Sequence, residues 1–299
     1  MIGWRHFRHP VQMARTANWR ARRRAKELGV AYRAKRGEAA ERRNYRHIRR
    51  ERRETCWCGG SLTPFSWHES FGVCERCGTY VNRRPPVQED LASLYSLDLY
   101  WRKRQESKGF PTIESRAELY RSDGRLTKWL SLIDRYGPST GSVVEIGCAP
   151  GVLLEELSQR GYGCVGVEIS EHVAAWMRKQ LGLDIRSGFF PGEVELPACD
   201  LFLAFDVLEH SPYPDQFLRE AARLLHPGGV AIIQTAVDRY DFVPPFGERF
   251  DMFDDLEHLF LFTDQGIELL AERAGLQVVT LDERIWLAGE IAVLAKPSA

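Results

Sequence analysis

The stretch VVEIGCAPGVLLEEL, residues 143–157, decides the fold. It begins as an apolar strand, turns through Gly147, Ala149 and Gly151, and continues with Val152, Leu153, Leu154 and Leu157 at helical spacing. Small residues in such a turn let the backbone approach a ligand, and the first amides of the helix offer donors to an anion. Pro150 suits the first helical turn. A nicotinamide-binding loop would read G-x-G-x-x-G, whereas G-C-A-P-G is shorter and has alanine at its middle small position. Glu168 follows about 20 residues on, the spacing at which a carboxylate accepts bonds from ribose hydroxyls. The loop and the glutamate together call for a nucleoside with a small anionic tail.

Outward from this turn, strand-like and helix-like segments alternate. The strand candidates are SVVEI (142–146), GCVGVE (163–168), LDIRS (183–187), DLFLAF (200–205), GVAIIQT (229–235), LQVVTL (276–281) and EIAVLA (290–295). Helices separate the first five, and a helical approach over residues 113–137 precedes them. This alternation predicts an α/β fold, a doubly wound parallel sheet with its ligand crevice at the carboxyl ends of the strands. The last two strands lack a crossover helix between them, so they are expected to form an antiparallel hairpin.

Four motifs in order, E-I-G-C-A-P-G, G-V-E, AFDVLEHSPYP (204–214) and LLHPGGVAIIQT (224–235), resemble those of class I S-adenosylmethionine (SAM)-dependent methyltransferases of the ubiquinone-biosynthesis-like branch. The resemblance covers about residues 115–298. It implies a Rossmann-like seven-stranded sheet of order 3-2-1-4-5-7-6 with SAM across the strand ends. By position it places Gly147, Cys148 and Gly151 at the methionine part, Glu168 on the ribose diol and Ile169 on adenine, with Asp206 and Val207 closing the site beneath the sulfonium and Glu145 also among the cofactor-binding residues. Many relatives carry an acidic residue after the third strand. Here SGFFPGEVELP (187–197) offers none at that point, and Phe189 is expected to contact adenine instead, through its ring or its backbone. The thiols of Cys148, Cys164 and Cys199 read as packing groups.

Methyl transfer asks mostly for alignment and exclusion of water, with a base only where the acceptor must lose a proton. Two Glu-His pairs stand where one could act. Glu209-His210 belongs to the general pattern and is read as loop support. Glu257-His258, in DDLEHLFLFT (254–263), resembles the segment of sugar C-methyltransferases that faces the acceptor. The catalytic candidates are therefore His258 and Glu257, with His210 beside them; the alternative for His258 is a loop cap before a helix starting at Thr263.

Before this domain, Cys56-x-Cys58 and Cys74-x-x-Cys77 form two knuckles, each followed by glycine. Four thiolates can complete a tetrahedral Zn2+ site, and a segment of about 30 residues has too little core to fold without such a staple. The sugar C-methyltransferases also carry a zinc module before the SAM domain, but continue with a third domain that has no counterpart here. Cysteine usage fits free thiols and a cytoplasmic protein rather than disulfides. No apolar run nears the roughly 20 residues that cross a bilayer.

The chain of 299 residues balances 41 Lys and Arg against 41 Asp and Glu, but unevenly. Residues 1–54 hold 18 basic residues against 5 Glu, which leaves +13 there and −13 in the remainder. The expected organisation is a basic, helical and partly disordered arm (1–54), a zinc-knuckle module (55–84), a linker (85–112) opened by Pro85-Pro86, and the SAM-dependent domain (113–299). The arm could meet RNA, an anionic lipid surface, or simply solvent. The expected function is methyl transfer to a small molecule or carbohydrate, at oxygen or an acidic carbon. The alternatives are an RNA methyltransferase using the arm, and a zinc-containing RNA-binding protein with a vestigial SAM domain. The Asp/Asn-Pro-Pro-aromatic run of exocyclic-amine methyltransferases is absent at Asp206.

Overall fold

The apolar runs read from the sequence become the central sheet of the computed structural model, which describes residues 45–107, 109–110, 112–238, 252–285 and 289–298. Residues 1–44 of the arm, and any RNA or lipid contact they make, lie outside the described residues. Residues Ile48–Ala299 form one compact unit, separate from Met1–His47.

Five parallel strands, β4 (Ser142–Ile146), β5 (Gly163–Glu168), β6 (Asp184–Ser187), β7 (Cys199–Phe205) and β8 (Leu225–Thr235), are completed by β10 (Gln277–Ile285) and β11 (Gly289–Ala295). Their spatial order is β10-β11-β8-β7-β4-β5-β6, and β11 runs antiparallel to both neighbours. This is the sheet order the resemblance implied, with the closing hairpin in place. Period-two alternation splits each central strand between two cores. Val143, Leu201, Leu203 and Phe205 face one side with Trp129, Ile133, Leu154 and Met177, whereas Val144, Phe202, Ala204 and Ile233 face the other with Phe217, Leu218 and Leu270. On the first side lie α4 (Arg125–Tyr136), α5 (Val152–Gln159) and α6 (Glu171–Leu181); on the second lie α7 (Pro214–Leu224) and α8 (Asp264–Ala274).

The helical approach breaks into two, α3 (Ile113–Ser122) and α4, because Gly124 takes φ +89° between them. The stretch 85–112, expected as a linker, folds: α1 (Gln88–Leu94) leads into a π-helical segment Leu97–Arg104 and a turn of helix, α2 (Gln105–Ser107). Leu91, Leu94, Leu99 and Trp101 of this stretch are buried.

The cysteine segment forms three antiparallel strands, β1 (Leu62–Pro64), β2 (Phe71–Cys74) and β3 (Tyr80–Asn82). A fourth strand comes from far along the chain: β9 (Phe260–Leu261) pairs with β3, Tyr80 opposite Leu261 and Val81 opposite Phe260. The knuckles also lie on α8. Thr263 Oγ1 donates to the Cys77 carbonyl at 2.6 Å, and Arg273 Nη2 donates to the Cys58 carbonyl at 3.0 Å. The four sulfurs thus belong to the same hydrophobic core as Phe217 and Leu270.

Candidate active site

A cavity of about 390 Å³ opens over the carboxyl ends of β4, β5 and β7, within the range that encloses small-molecule ligands. Its floor is the glycine turn. The Gly147 and Cys148 amides donate to the Val167 carbonyl at 2.8 and 3.1 Å, which ties the turn to β5. Gly147 has φ +67°, and a Cβ there would sit 2.5 Å from Val207 Cγ2, so conformation and space both demand glycine. Gly151, at φ +90°, would place a Cβ 2.7 Å from Leu181 Cδ1. The Cys148 thiol is buried and pushed up by that burial, so Cys148 serves the turn through its backbone and its packing.

Carboxylates surround this floor. Glu145 lines the cavity with its carboxyl fully desolvated and held well above the usual range, and its Oε2 is buried without a partner. Glu168 accepts the Ser170 amide on Oε1 at 2.9 Å, and burial pushes its carboxyl up to about 7. Asp206 alone among the described non-glycine residues has positive φ, +56°. A relay fixes it: Trp129 Nε1 donates to Gln234 Oε1 at 3.0 Å, and Gln234 Nε2 donates to Asp206 Oδ1 at 2.5 Å. Burial first, then neighbouring Glu209, raises Asp206 to about 6. A strained residue held by such a relay is typical of a functional site.

Ile169, Phe189 and Val207 also line the cavity. The Phe189 amide donates to Glu193 Oε2 at 2.8 Å and its carbonyl accepts from the Glu193 amide at 3.1 Å. Phe190 packs edge-on against Phe217 in the core.

The two Glu-His pairs meet at the far wall. His210 Nδ1 donates to the Glu257 carbonyl at 2.8 Å, and His258 Nδ1 donates to the Met252 carbonyl at 2.5 Å; the rings lie 5.0 Å apart. Glu209 is buried beside them, its Oε2 accepting from Thr235 Oγ1 at 2.7 Å. The Glu257 carboxylate does not orient His258. It is ion-paired to the buried Arg104, which also pairs with Asp254, so Glu257 acts through its carbonyl on His210. Thr263 caps α8, accepting from the Gly266 amide at 3.1 Å, while His258 lines the cavity and also holds the loop before α8 through its bond to the Met252 carbonyl.

The roof was not read from the sequence. Tyr95, Tyr100, Trp101 and Tyr120 wall the cavity, with Arg116 held among them. Arg116 hydrogen-bonds Gln105 Oε1 and the Tyr120 hydroxyl and stacks within 5.2 Å of the Tyr120 ring. Its Nε is buried without a partner, and it forms no ion pair with any carboxylate among the described residues. The Asp206 and Glu168 carboxylates are its nearby counter-charges, acting on it across the cavity rather than by direct pairing. The only clue in the sequence is the Arg116 and Tyr120 spacing of four on one helix face, which ordinary surface helices share.

The thiols of Cys56, Cys58, Cys74 and Cys77 are buried and lie within 4.8 Å of one another, with Cys56 to Cys77 at 3.7 Å and Cys58 to Cys74 at 3.4 Å. Tetrahedral Zn–S bonds of about 2.3 Å would set sulfurs about 3.8 Å apart, so the cluster fits that ion. Gly60 is required beside it, since a Cβ would lie 2.6 Å from Cys74 Sγ.

Comparison with known proteins agrees with this geometry. Residues 120–281 match the family described as "Methyltransferase domain". The chain is 33% identical over 103 residues to a ubiquinone biosynthesis O-methyltransferase of Caulobacter vibrioides, covering 31% of this chain and 40% of that protein. It is 28% identical over 114 residues to its Pseudomonas aeruginosa counterpart, covering 34% and 47%. The chain thus spans under half the length of these curated relatives. Among solved structures it resembles an O-methyltransferase family protein from Burkholderia thailandensis (TM-score 0.50, 17% identity, 69% of this chain and 64% of that one). It also resembles human N-acetylserotonin methyltransferase in complex with SAM (TM-score 0.51, 15% identity, 71% and 60%). With more than half of its length matched and the seven-stranded sheet in place, the chain belongs to the methyltransferase domain family, on the class I SAM-dependent fold.

Proposed function

We propose that the protein transfers a methyl group from SAM to an oxygen or an acidic carbon of a small-molecule or carbohydrate acceptor. One observation carries the reading: a single cavity joins the nucleoside cradle of Gly147 and Glu168 to the Glu209, His210 and His258 group, with strained Asp206 between them. When bound, SAM supplies an activated sulfonium methyl. Glu168 takes the ribose diol, Ile169 and the Phe189 ring flank adenine, and Gly147 and Cys148 admit the methionine part, Gly151 packing instead against Leu181 and Met177. Asp206 and Val207 form the wall at the transferring methyl. The acceptor loses its proton at the group around His258, whose two imidazoles present their Nε2 atoms. That the similar curated proteins are named O-methyltransferases favours oxygen as the acceptor atom. We read the four thiols as a structural zinc site, which steadies β3 and, through it, β9 and His258.

Incubating the protein and methyl-labelled SAM with cell extract tests the acceptor class. Label is expected in the small-molecule fraction, and label confined to RNA would overturn the reading. With the acceptor in hand, His258→Ala is expected to lower the single-turnover rate by about 10² to 10⁴ while SAM affinity stays near wild type. Normal turnover by that variant would make His258 a structural residue.

A further inference from the structure

The wall of the cavity that carries the two Glu-His pairs gathers three potential ligand atoms. One nitrogen each of His210 and His258 and a carboxylate oxygen of Glu209 lie within 4.8 Å of one another. Both imidazoles spend Nδ1 on a backbone carbonyl, His210 on Glu257 and His258 on Met252. A carbonyl only accepts, so each Nδ1 carries a hydrogen, which leaves Nε2 as the nitrogen of each ring that can ligate an ion. Two imidazole nitrogens gathered with a buried carboxylate call for a positive charge among them, which a proton on one ring or a bound cation supplies. The surroundings match what holds metal ligands in place: each histidine is oriented by a carbonyl on its other nitrogen, and the carboxylate is fixed by the Thr235 hydroxyl.

We propose that Glu209, His210 and His258 bind one divalent transition-metal cation, separate from the four-thiol cluster, with open coordination positions facing the cavity. Two imidazoles and one carboxylate suit Mn2+, Fe2+, Co2+ or Zn2+ better than Ca2+ or Mg2+. Three protein donors leave room for an oxygen of the acceptor, so the site selects acceptors that offer a hydroxyl or phenolate oxygen to the ion. The inference rests on reading the cavity as the methyl-transfer site and specifies how the group around His258 acts, as ligands of a cation rather than as a free base. It also accounts for a pattern the sequence left apart. Glu209-His210 follows β7 and His258 follows β8, and only the folded sheet brings them together.

Mn2+ titration of the chain holding one Zn2+ on its thiolates, any more weakly held zinc having first been stripped with a mild chelator, followed by the loss of the free-ion electron paramagnetic resonance signal, tests the site, because thiolates already holding zinc do not take up manganese. One Mn2+ per chain is expected, weakened about tenfold or more in Glu209→Gln and in His258→Ala. Calorimetric SAM binding serves as the folding control for both variants. Pulsed resonance on the wild-type Mn2+ complex should show nitrogen couplings from two imidazoles, which does not depend on any variant folding. Absence of Mn2+ uptake, a bound ion without nitrogen couplings, or equal uptake by well-folded variants would overturn the proposal. Failure of SAM binding would instead strike at the methyltransferase reading, so the two failures are told apart.

Discussion

Glu168 ends β5 with its carboxyl buried and one oxygen bonded to the Ser170 amide, and desolvation holds it near 7 rather than its ordinary 4.5. A ribose diol donates to this group, so binding needs the carboxylate ionised. SAM affinity is therefore expected to climb from about pH 6 to about pH 8 and level off above, with proton release on binding at the lower end. Stability of the ligand-free protein follows the opposite course. Between about 4.5 and about 7 the folded chain holds a proton on Glu168 that the unfolded chain has lost, so stability falls as pH rises through that window. Titration calorimetry and thermal unfolding across this range should show both slopes, and Glu168→Gln should flatten both. A pH-independent SAM affinity in the wild type would contradict the assignment. Glu168 was legible because its distance from the glycine turn is set by one strand-helix-strand unit. Arg116 was not, because its burial comes from Tyr100, Trp101 and Tyr120, and nothing in a helical Arg reveals an aromatic roof.

At the scale of elements, the pairing of β3 with β9 links the thiol cluster to the acceptor wall. Val81 lies opposite Phe260, two residues from His258, and Asn82 Nδ2 donates to the His258 carbonyl at 3.3 Å. Removing a metal from Cys56, Cys58, Cys74 and Cys77 should therefore loosen more than the knuckles. Hydrogen exchange after chelation is expected to rise in residues 55–84 and in 258–263 together, while β4 and β5 stay protected and SAM still binds. Unchanged protection at 258–263 would show that the pairing does not transmit the loss. The five parallel strands of the large sheet were legible because buried parallel strands read as apolar runs between turn signals. β9 was not. It has two residues, and its partner β3 lies at the other end of the chain, so no local pattern announces the pair. The Tyr- and Trp-bearing stretch 85–112 was read as linker because its two prolines signalled a break, whereas its apolar positions fold over the cavity.

For the whole molecule, composition put the edge of the basic arm at residue 54, while the compact unit begins at Ile48. The residues between are part of the body. Arg49 pairs with Asp90 at 2.9 Å, Arg50 donates to the Arg84 and Asp255 carbonyls, and Arg53 lies 5.0 Å over the Phe260 ring. Replacing Arg49, Arg50 and Arg53 together by alanine is expected to lower the thermal midpoint; an unchanged midpoint would show these contacts to be idle. The central claim is that the chain holds SAM between the Gly147 turn and Glu168. Calorimetric titration of SAM into wild type and Glu168→Ala tests it most directly. One SAM per chain is expected, with the variant weaker by about 1.5 to 3 kcal/mol for each charged hydrogen bond lost, roughly tenfold or more in affinity. No SAM binding, or binding equally tight in Glu168→Ala, would contradict it.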